Sequence, residues 1–508
     1  MRVMPSTEAL PYALYLAKQV REFDRIAIYE YGIPGEQLME RAGMRAFQLI
    51  QQRWPDLREM LVVCGVGNNG GDGYVVARLA LQAGLRVRVL QLGDEAKIKG
   101  DALLKAESWR NLGQIIEPFD GLSGKPGLIV DAVLGTGLER DLSGSWREAV
   151  EQINRHQAPV FSLDIPTGLH SDTGRIMGCA VKAQACLSFI GLKQGMFTGA
   201  GPDCCGDISF DALELPAKIY ARQLLACRRI DWNKNVGRIP LRRRSAHKGH
   251  FGRLLVVGGD QGYSGAVRMA GEGAARSGAG LVTLATHPEH AAWSNLGRPE
   301  LMCRGISDKE ILDELLAHVD GVVLGPGLGR SSWSEMVYRA VMETELPLLM
   351  DAGALNWLAQ QPVKRDNQVL TPHPGEAARL LGWDVTQVQN DRFAACEAIQ
   401  NRYGGVVVLK GAGSLIRAGD THPIALCSGG NPGMASGGSG DVLSGVIGAF
   451  IVQGYPLREA AELGVTLHAA AGDRAAQGGE IGMLAGDLIG ELRYLLNVEQ
   501  FRTLYCHD

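Results

Sequence analysis

The chain has 508 residues, 46% of them hydrophobic and 21% charged, with a net charge of -4. At roughly 100–200 residues per domain it holds two or three domains, each able to bury a core. The balance excludes a nucleic-acid footprint, which takes a strongly basic domain or stripe, and no run reaches the ~18 apolar residues of a spanning helix.

From the N-terminus, MRVMPSTEALPYALYLAKQVREFD has no uninterrupted apolar core of the signal-peptide type, so a cytoplasmic protein is expected. ALYLAKQVREFDRIAIYEYG and LMERAGMRAFQLIQQRW carry apolar residues at helical spacing. Strands and helices then alternate. MLVVC is a buried-strand run, and Asp72 to Ala83 reads as a helix with Val75, Val76, Leu79 and Ala80 on one face. LRVRVLQL, GLIVDAVLGTG, APVFSLDIPTG and ACLSFIGL follow as strands. This alternation implies a parallel sheet with helices on both faces.

Around residues 222 to 246 the pattern breaks. RRIDWNKNVGRIPLRRRSAHKG is basic, polar and proline-punctuated, and reads as a solvated linker at 229–245 between domains 1–228 and 246–508. A second series begins with RLLVVGGD and the glycine- and alanine-rich helix SGAVRMAGEGAARSGAG. LVTLAT, DGVVLGPGLG, PLLMDAGAL, QVLTPHPGE and GGVVVLKGAGS repeat an apolar run ending in a polar turn. In open α/β sheets that edge is where ligands bind.

The ten cysteines form no C-x-x-C pair, and several, such as Cys64 and Cys186, read as small buried hydrophobes of a reducing compartment. The adjacent pair Cys204 and Cys205 is expected in a loop. His247 with His250, and His287 with His290, are spaced to share a metal, but no Cys or carboxylate supports either pair.

In the first half, Gly65, Gly67 and Gly70 of CGVGNNGGDG satisfy G-x-G-x-x-G. A nicotinamide cofactor site also needs an acid about 20 residues on, to hold a ribose hydroxyl. Leu90 and Gln91 stand there, and Asp94 is late. The loop is instead crowded by Asn68, Asn69 and Asp72, and two later strand ends carry Asp131, Asp164 and Thr167. Parallel strands bring these oxygens to one crevice, where they suit a hard cation. Capping of turns and helices explains them equally well, with Asp72 as an N-cap.

In the second half, GNPGMASGGSGDVLSGVIGAF puts glycines immediately before a helix whose apolar face is Val442, Leu443, Val446, Ile447 and Phe450. Such a start presents backbone N–H groups and the helix dipole to an anion. Asp441 at that mouth repels phosphate unless it has a task, such as accepting the proton of an attacking hydroxyl. An N-cap is the plainer reading of a lone GSGD. LKGAGS, TPHPGE and GPGLG add polar strand ends.

LMERAG, CGVGNNGGDGYVVARL, VDAVLGTGLERDLSG and SLDIPTGLHSDTG resemble the NAD(P)H-hydrate epimerase half of bifunctional NAD(P)H-hydrate repair enzymes. The resemblance implies a Rossmann-like three-layer domain whose dinucleotide is substrate rather than hydride carrier. It implies substrate contacts at Asn68, Asn69, Gly70, Gly71, Asp72, Gly135, Thr136, Gly137, Leu138, Glu139, Arg140, Asp141 and Asp164. It implies potassium (K+) ligands Asn69, Asp131 and Thr167, and Asp164 is the candidate acid/base. Val66 stands where proline is common, and Thr167 where serine is common; threonine keeps the hydroxyl.

HKGHFGRLLVVGGD, TPHPGEAARLL, VVLKGAGS and NPGMASGGSGDVLSG are similar to the ADP-dependent dehydratase branch of the ribokinase-like α/β fold. That resemblance implies ADP with Mg2+, which phosphorylates the hydrate before phosphate leaves. It implies nucleotide contacts at Lys410, Gly411, Ala412, Gly413, Ser414 and Gly440, and hydrate contacts at Ala266, Gly327, His373 and Asp441, the last catalytic. The expected partners are NADHX, NADPHX and ADP, with no nucleic acid or membrane, in a homo-oligomer. Two rivals remain: a small-alcohol kinase joined to a non-catalytic dinucleotide-binding module, and a plain dehydrogenase.

Overall fold

Branched apolar residues favour the half-buried pleat of a strand, and glycine turns end each run, so the alternation in the sequence becomes alternating strands and helices. The computed structural model describes residues 10–419 and 421–497. Cys506 lies outside them. The chain divides into two units, Met1–Arg228 and Arg229–Asp508.

The first unit opens with α1 (Ala17–Tyr29) and α2 (Gly35–Arg53). Then come β1 (Glu59–Cys64), α3 (Asn68–Gln82), β2 (Arg86–Gln91), α4 (Gly100–Arg110), β3 (Glu117–Pro118), β4 (Leu128–Ala132), α5 (Gly144–Arg155), β5 (Val160–Leu163), β6 (Ala185–Phe189) and β7 (Asp207–Asp211). The strands form one parallel sheet in the order β3-β2-β1-β4-β5-β6-β7. Alternate residues of β1 serve the two faces. Met60 and Val62 meet Phe23, Ala46, Tyr74 and Trp109 from α1 to α4. Leu61 and Val63 meet Ala149, Val150 and Ile153 of α5. The result is three layers. Strand order reverses at β1, which is flanked by β2 and β4, so the turns after β1 and β4 part to leave a crevice.

The second unit runs β8 (Arg253–Val257), α6 (Ser264–Arg276), β9 (Leu281–Thr286), β10 (Met302–Gly305), β11 (Gly321–Leu324), β12 (Leu348–Met350), β13 (Gln368–Leu370), α7 (Pro374–Leu381), α8 (Arg392–Tyr403), β14 (Val406–Leu409), β15 (Ser414–Arg417), β16 (Ile424–Cys427), α9 (Ser439–Val452), α10 (Leu457–Ala475) and α11 (Ala485–Leu495). The order β16-β15-β14-β13-β12-β11-β8-β9-β10 is parallel except where β15 pairs antiparallel with β14 and β16. Val267, Val442, Val446, Leu467 and Leu488 of α6, α9, α10 and α11 bury one face against Leu254, Val256 and Val323.

Residues 229–245 are not the solvated linker that their polarity predicts. Ile230, Trp232 and Val236 enter the second core. Asn235 Nδ2 donates to Thr466 Oγ1 at 3.1 Å, and Arg238 pairs with Glu459 at 2.8 Å. Three apolar side chains within seven residues outweigh the charges around them, and only from Pro240 is the stretch continuously exposed. Cys204 and Cys205 lie in a short buried helix, Gly201–Cys205, rather than a loop, and burial lifts the Cys204 thiol to about 11. The histidine pairs shape turns: His247 Nδ1 accepts from Gly249 N and His287 Nδ1 from Glu289 N. Among the described residues no group of three or more His, Cys, Asp or Glu is arranged to hold a metal ion. No helix among them is long and apolar enough to cross a membrane.

Candidate active sites

The glycines after β1 serve close packing. A Cβ on Gly65 would fall 1.9 Å from Val133 O, and one on Gly70 would fall 2.0 Å from Gly65 O. Gly71 faces Met39, whose Sδ would be 2.5 Å from an added Cβ. The backbone after β1 thus presses onto the turn after β4. Helix α3 starts at Asn68 with Gly67 as its cap, four residues before the start read from the sequence. Asp72 therefore sits in the second turn and caps nothing. Gln91, at the position of a ribose acid, is buried and accepts from Tyr74 OH instead. Asp94 caps a short surface turn through Ala96 N. The dehydrogenase reading has no acid to stand on.

The crevice encloses about 410 Å³ and is lined by Asn68, Asn69, Asp72, Gly135, Thr136, Gly137 and Asp164. Leu138, Glu139, Arg140 and Asp141 lie beyond this lining, and Asp141 pairs with Arg175 at 3.0 Å. Asp131 is fully buried. Its carboxylate accepts from Ser162 Oγ at 2.8 Å, Thr167 N at 2.9 Å and Thr167 Oγ1 at 2.7 Å. Burial raises its pKa, and those bonds pull against the rise. The Asn69 amide is buried with neither its oxygen nor its nitrogen hydrogen-bonded. An orphaned amide oxygen with the Asp131 carboxylate and Thr167 hydroxyl is a donor set that fits a hard monovalent cation.

Asp164 adopts φ 65°, the left-handed region. Lys193, with no exposed surface, donates to Asp164 Oδ1, to Ser188 Oγ at 3.0 Å and to Phe189 O at 3.0 Å. Asp24, from α1, lines the same crevice. Burial, and then the charge of Asp164, push Asp24 up to about 6, with Lys193 opposing. Asp72 is driven well above the carboxylate range by burial, then by Asp164 and Asp24. Three carboxyls thus share one lysine. Sequence reasoning missed Asp24 and Lys193. Asp24 reads as the polar face of an amphipathic helix, and Lys193 as one more loop cation.

In the second unit α9 begins after Gly438, at φ 93°, with Asp441 in its first turn. The cap position is taken by the glycine, so the N-cap reading of Asp441 fails. Burial, and then Asp351, push Asp441 up to about 7; Lys410 opposes and Glu376 adds to the rise. Lys410 Nζ donates to Asp351 Oδ1 at 2.6 Å and lies 3.9 Å from Glu376 Oε2. Ser444 Oγ donates to Asp351 Oδ2 at 2.8 Å. Burial alone would lower Lys410, but the carboxylates outweigh it and its pKa rises. A Cβ on Gly440 would lie 3.3 Å from Lys410 Nζ. His373 caps α7, its Nδ1 accepting from Gly375 N at 3.0 Å, and burial lowers its pKa.

Gly411 and Gly413 both take positive φ, 141° and 67°. Arg392 braces their turn from below, donating to Leu409 O, Lys410 O and Gly413 O at 3.2–3.4 Å. Ser414 Oγ donates to Gly411 O. Lys410, Gly440 and Asp441 form one cluster with His373 beside it. Gly327 and Ala266 adjoin each other separately, a Cβ on Gly327 falling 3.1 Å from that of Ala266. Asp351, Glu376, Ser444 and Arg392 were not singled out from sequence. His468 belongs with them: it is buried, held neutral with a pKa lowered to about 4, and its Nε2 contacts Ser439 O at 2.9 Å.

Two family models match. The "YjeF-related protein N-terminus" covers residues 35–195, and "NAD(P)H-hydrate dehydratase" covers residues 254–493. The chain is 45% identical to the bifunctional NAD(P)H-hydrate repair enzyme Nnr of Coxiella burnetii, over 95% of this chain and 99% of that one. It is 43% identical to the Nnr of Escherichia coli, over 97% and 95%. Among solved structures, a ribokinase-like superfamily protein from Enterococcus faecalis aligns with TM-score 0.51 and 28% identity, over 54% of this chain and 97% of that one.

Proposed function

The chain belongs to the bifunctional NAD(P)H-hydrate repair enzymes, and from that premise we propose that each unit carries one of two consecutive steps. The first unit interconverts the R and S hydrates of NADH and NADPH. The second dehydrates the S hydrate at the expense of ADP, giving AMP and phosphate. The observation that carries the reading is the cluster of Asp441, Asp351 and Lys410 at the glycine-led start of α9.

In the first unit the reacting carbon bears a hydroxyl beside the ring nitrogen. Its inversion needs an acid for the departing oxygen and a base for the water that returns on the other face. Asp164, held by Lys193, is the base. Asp24, titrating near pH 6, is the acid. Asn69, Asp131 and Thr167 would hold K+, whose charge fixes the oxygens of the crevice. Gly135, Thr136, Gly137 and Asp72 shape the hydrate pocket.

In the second unit Asp441 takes the proton of the hydrate hydroxyl. The hydroxyl oxygen attacks the β-phosphorus of ADP, and the bond to the AMP oxygen breaks. Phosphate then leaves with the electrons of its carbon–oxygen bond and takes up the neighbouring ring proton, and the dihydropyridine is restored. N–H groups at the glycine-led start of α9 would face the phosphoryl oxygens, each donor worth about 2.7–4 kcal/mol in a transition state. Mg2+ would ride largely on the ADP phosphates, as it usually does. Gly411 to Ser414 form the nucleotide turn, with Ala266, Gly327 and His373 toward the hydrate. A cytoplasmic site of action is part of this reading.

The test is recovery of absorbance at 340 nm from mixed R and S NADHX with K+, Mg2+ and ADP. The full chain should recover both epimers quickly. The Asp164→Asn chain should recover only the S share quickly. If the full chain recovers neither, the reading fails and a small-alcohol kinase replaces it.

A further inference from the structure

Helices α6 and α9 end at the sheet edge opposite Asp441. Around their C-termini, at Arg276 to Gly278 and Gln453 to Gly454, the second unit leaves a cleft of about 1230 Å³. Arg238, Arg242, Arg243, Arg244, Arg276 and Arg493 line it, and among the described residues no Asp or Glu does. Arg238 is committed to Glu459 and Glu462. Arg242 is fixed in place: it donates to Gly278 O at 2.6 Å and lies 3.6 Å over the Phe251 ring. The remaining four, Arg243, Arg244, Arg276 and Arg493, form no ion pair with any described residue.

Four guanidiniums facing one concavity repel each other, and no described residue pairs with their fork of donors. A compact anion of three or four charges removes both costs, because guanidinium matches phosphate oxygens two at a time. A long nucleic acid fits poorly. The chain carries a net charge of -4, and its basic charge here is confined to one cleft rather than drawn out as a stripe. Leu241, Tyr455 and Leu496 give the cleft an apolar flank suited to a base. We propose that this cleft is a second, non-catalytic site for a nucleoside polyphosphate, with its phosphate chain on the four free arginines. It is distinct from the dehydratase centre, since the 14 residues of α9 separate the two by about 20 Å.

The test counts ADP equivalents on the full chain by isothermal titration, beside the R243A/R244A/R493A chain. All three side chains are exposed, so the fold is not at stake. The expected result is two equivalents per chain, one of them lost in the variant, with the dehydratase rate at saturating ADP unchanged. The lost equivalent should weaken roughly tenfold between about 50 and 200 mM salt, as screening shortens the reach of exposed charge. Inorganic tripolyphosphate should displace it. One equivalent in both chains, or two in both, overturns the proposal, as does displacement by adenosine but not by tripolyphosphate. Failure of the dehydratase reading is visible separately, as loss of the equivalent that the variant retains.

Discussion

Lys193 and Asp164 form an ion pair in which the lysine is wholly buried and the aspartate nearly so, at 0% and 16% side-chain exposure. Removing one partner of such a pair strands the other and costs about 3–5 kcal/mol. Lys193→Met should therefore lower the stability of the first unit by roughly 3 kcal/mol and abolish epimerisation. Adding Asp164→Asn should restore most of the stability and none of the activity. Thermal melts of the three chains decide it, and a K193M chain that still epimerises would remove the lysine from the mechanism.

Asp24→Asn should slow epimerisation about 100-fold, in the range for a lost proton-transfer group. Dehydration of S hydrate by the same chain should be untouched, which controls for folding. The wild-type rate profile should carry a titration near pH 6 that the variant lacks. The sign for stability is equally definite. A carboxyl raised from about 4 on folding stabilises fully below pH 4 and loses that contribution as pH climbs through 6. The wild type should lose more stability than the variant between those values.

Asp441→Asn should end dehydration while leaving ADP affinity largely intact. Burial and Asp351 raise Asp441 to about 7, so its ionisation opposes folding as pH rises from about 4 through 7. At pH 8 the variant should melt higher than the wild type, and near pH 4 the two should agree. Equal melting at pH 8 would mean that the carboxylate is comfortable there and needs no substrate proton to neutralise it.

Potassium should raise the melting temperature of the wild-type first unit more than lithium does, since a ligand stabilises the state that binds it. Asn69→Leu removes an unsatisfied buried amide, a burden of about 1–3 kcal/mol. That chain should be no less stable than wild type without potassium, and it should not respond to the ion. A response that survives Asn69→Leu would move the cation elsewhere.

The inner strands of both sheets were legible because each is an apolar run with a polar turn at its carboxyl end, whereas Glu117–Pro118, Asp207–Asp211, Met302–Gly305, Ser414–Arg417 and Ile424–Cys427 were not read as strands. Asn68, Asn69, Asp72 and Asp164 of the motifs line one crevice at such an edge for the same reason. What escaped were single residues whose meaning depends on what they face. Asp24 is a polar residue on an amphipathic helix until Asp164 stands opposite. Asp351 ends a strand like any other until Lys410 reaches it at 2.6 Å. Arg392 sits in a helix with little amphipathic contrast, and only the glycine turn above it explains its burial. The stretch 229–245 misled in the other direction: its charges are counted easily, whereas the burial of Ile230, Trp232 and Val236 depends on a partner surface distant in sequence.

The left-handed backbone of Asp164, at φ 65°, also constrains how this gene can drift. Asparagine and glycine tolerate that conformation and aspartate accepts it, whereas longer or branched side chains resist it. A one-base change to asparagine or glycine would suit the backbone but leave the buried Lys193 without its carboxylate. A change to glutamate would keep a carboxylate but strain the turn. The backbone therefore limits this position to a few residues and the buried lysine penalises the uncharged ones among them, so positions 164 and 193 should drift together rather than one at a time.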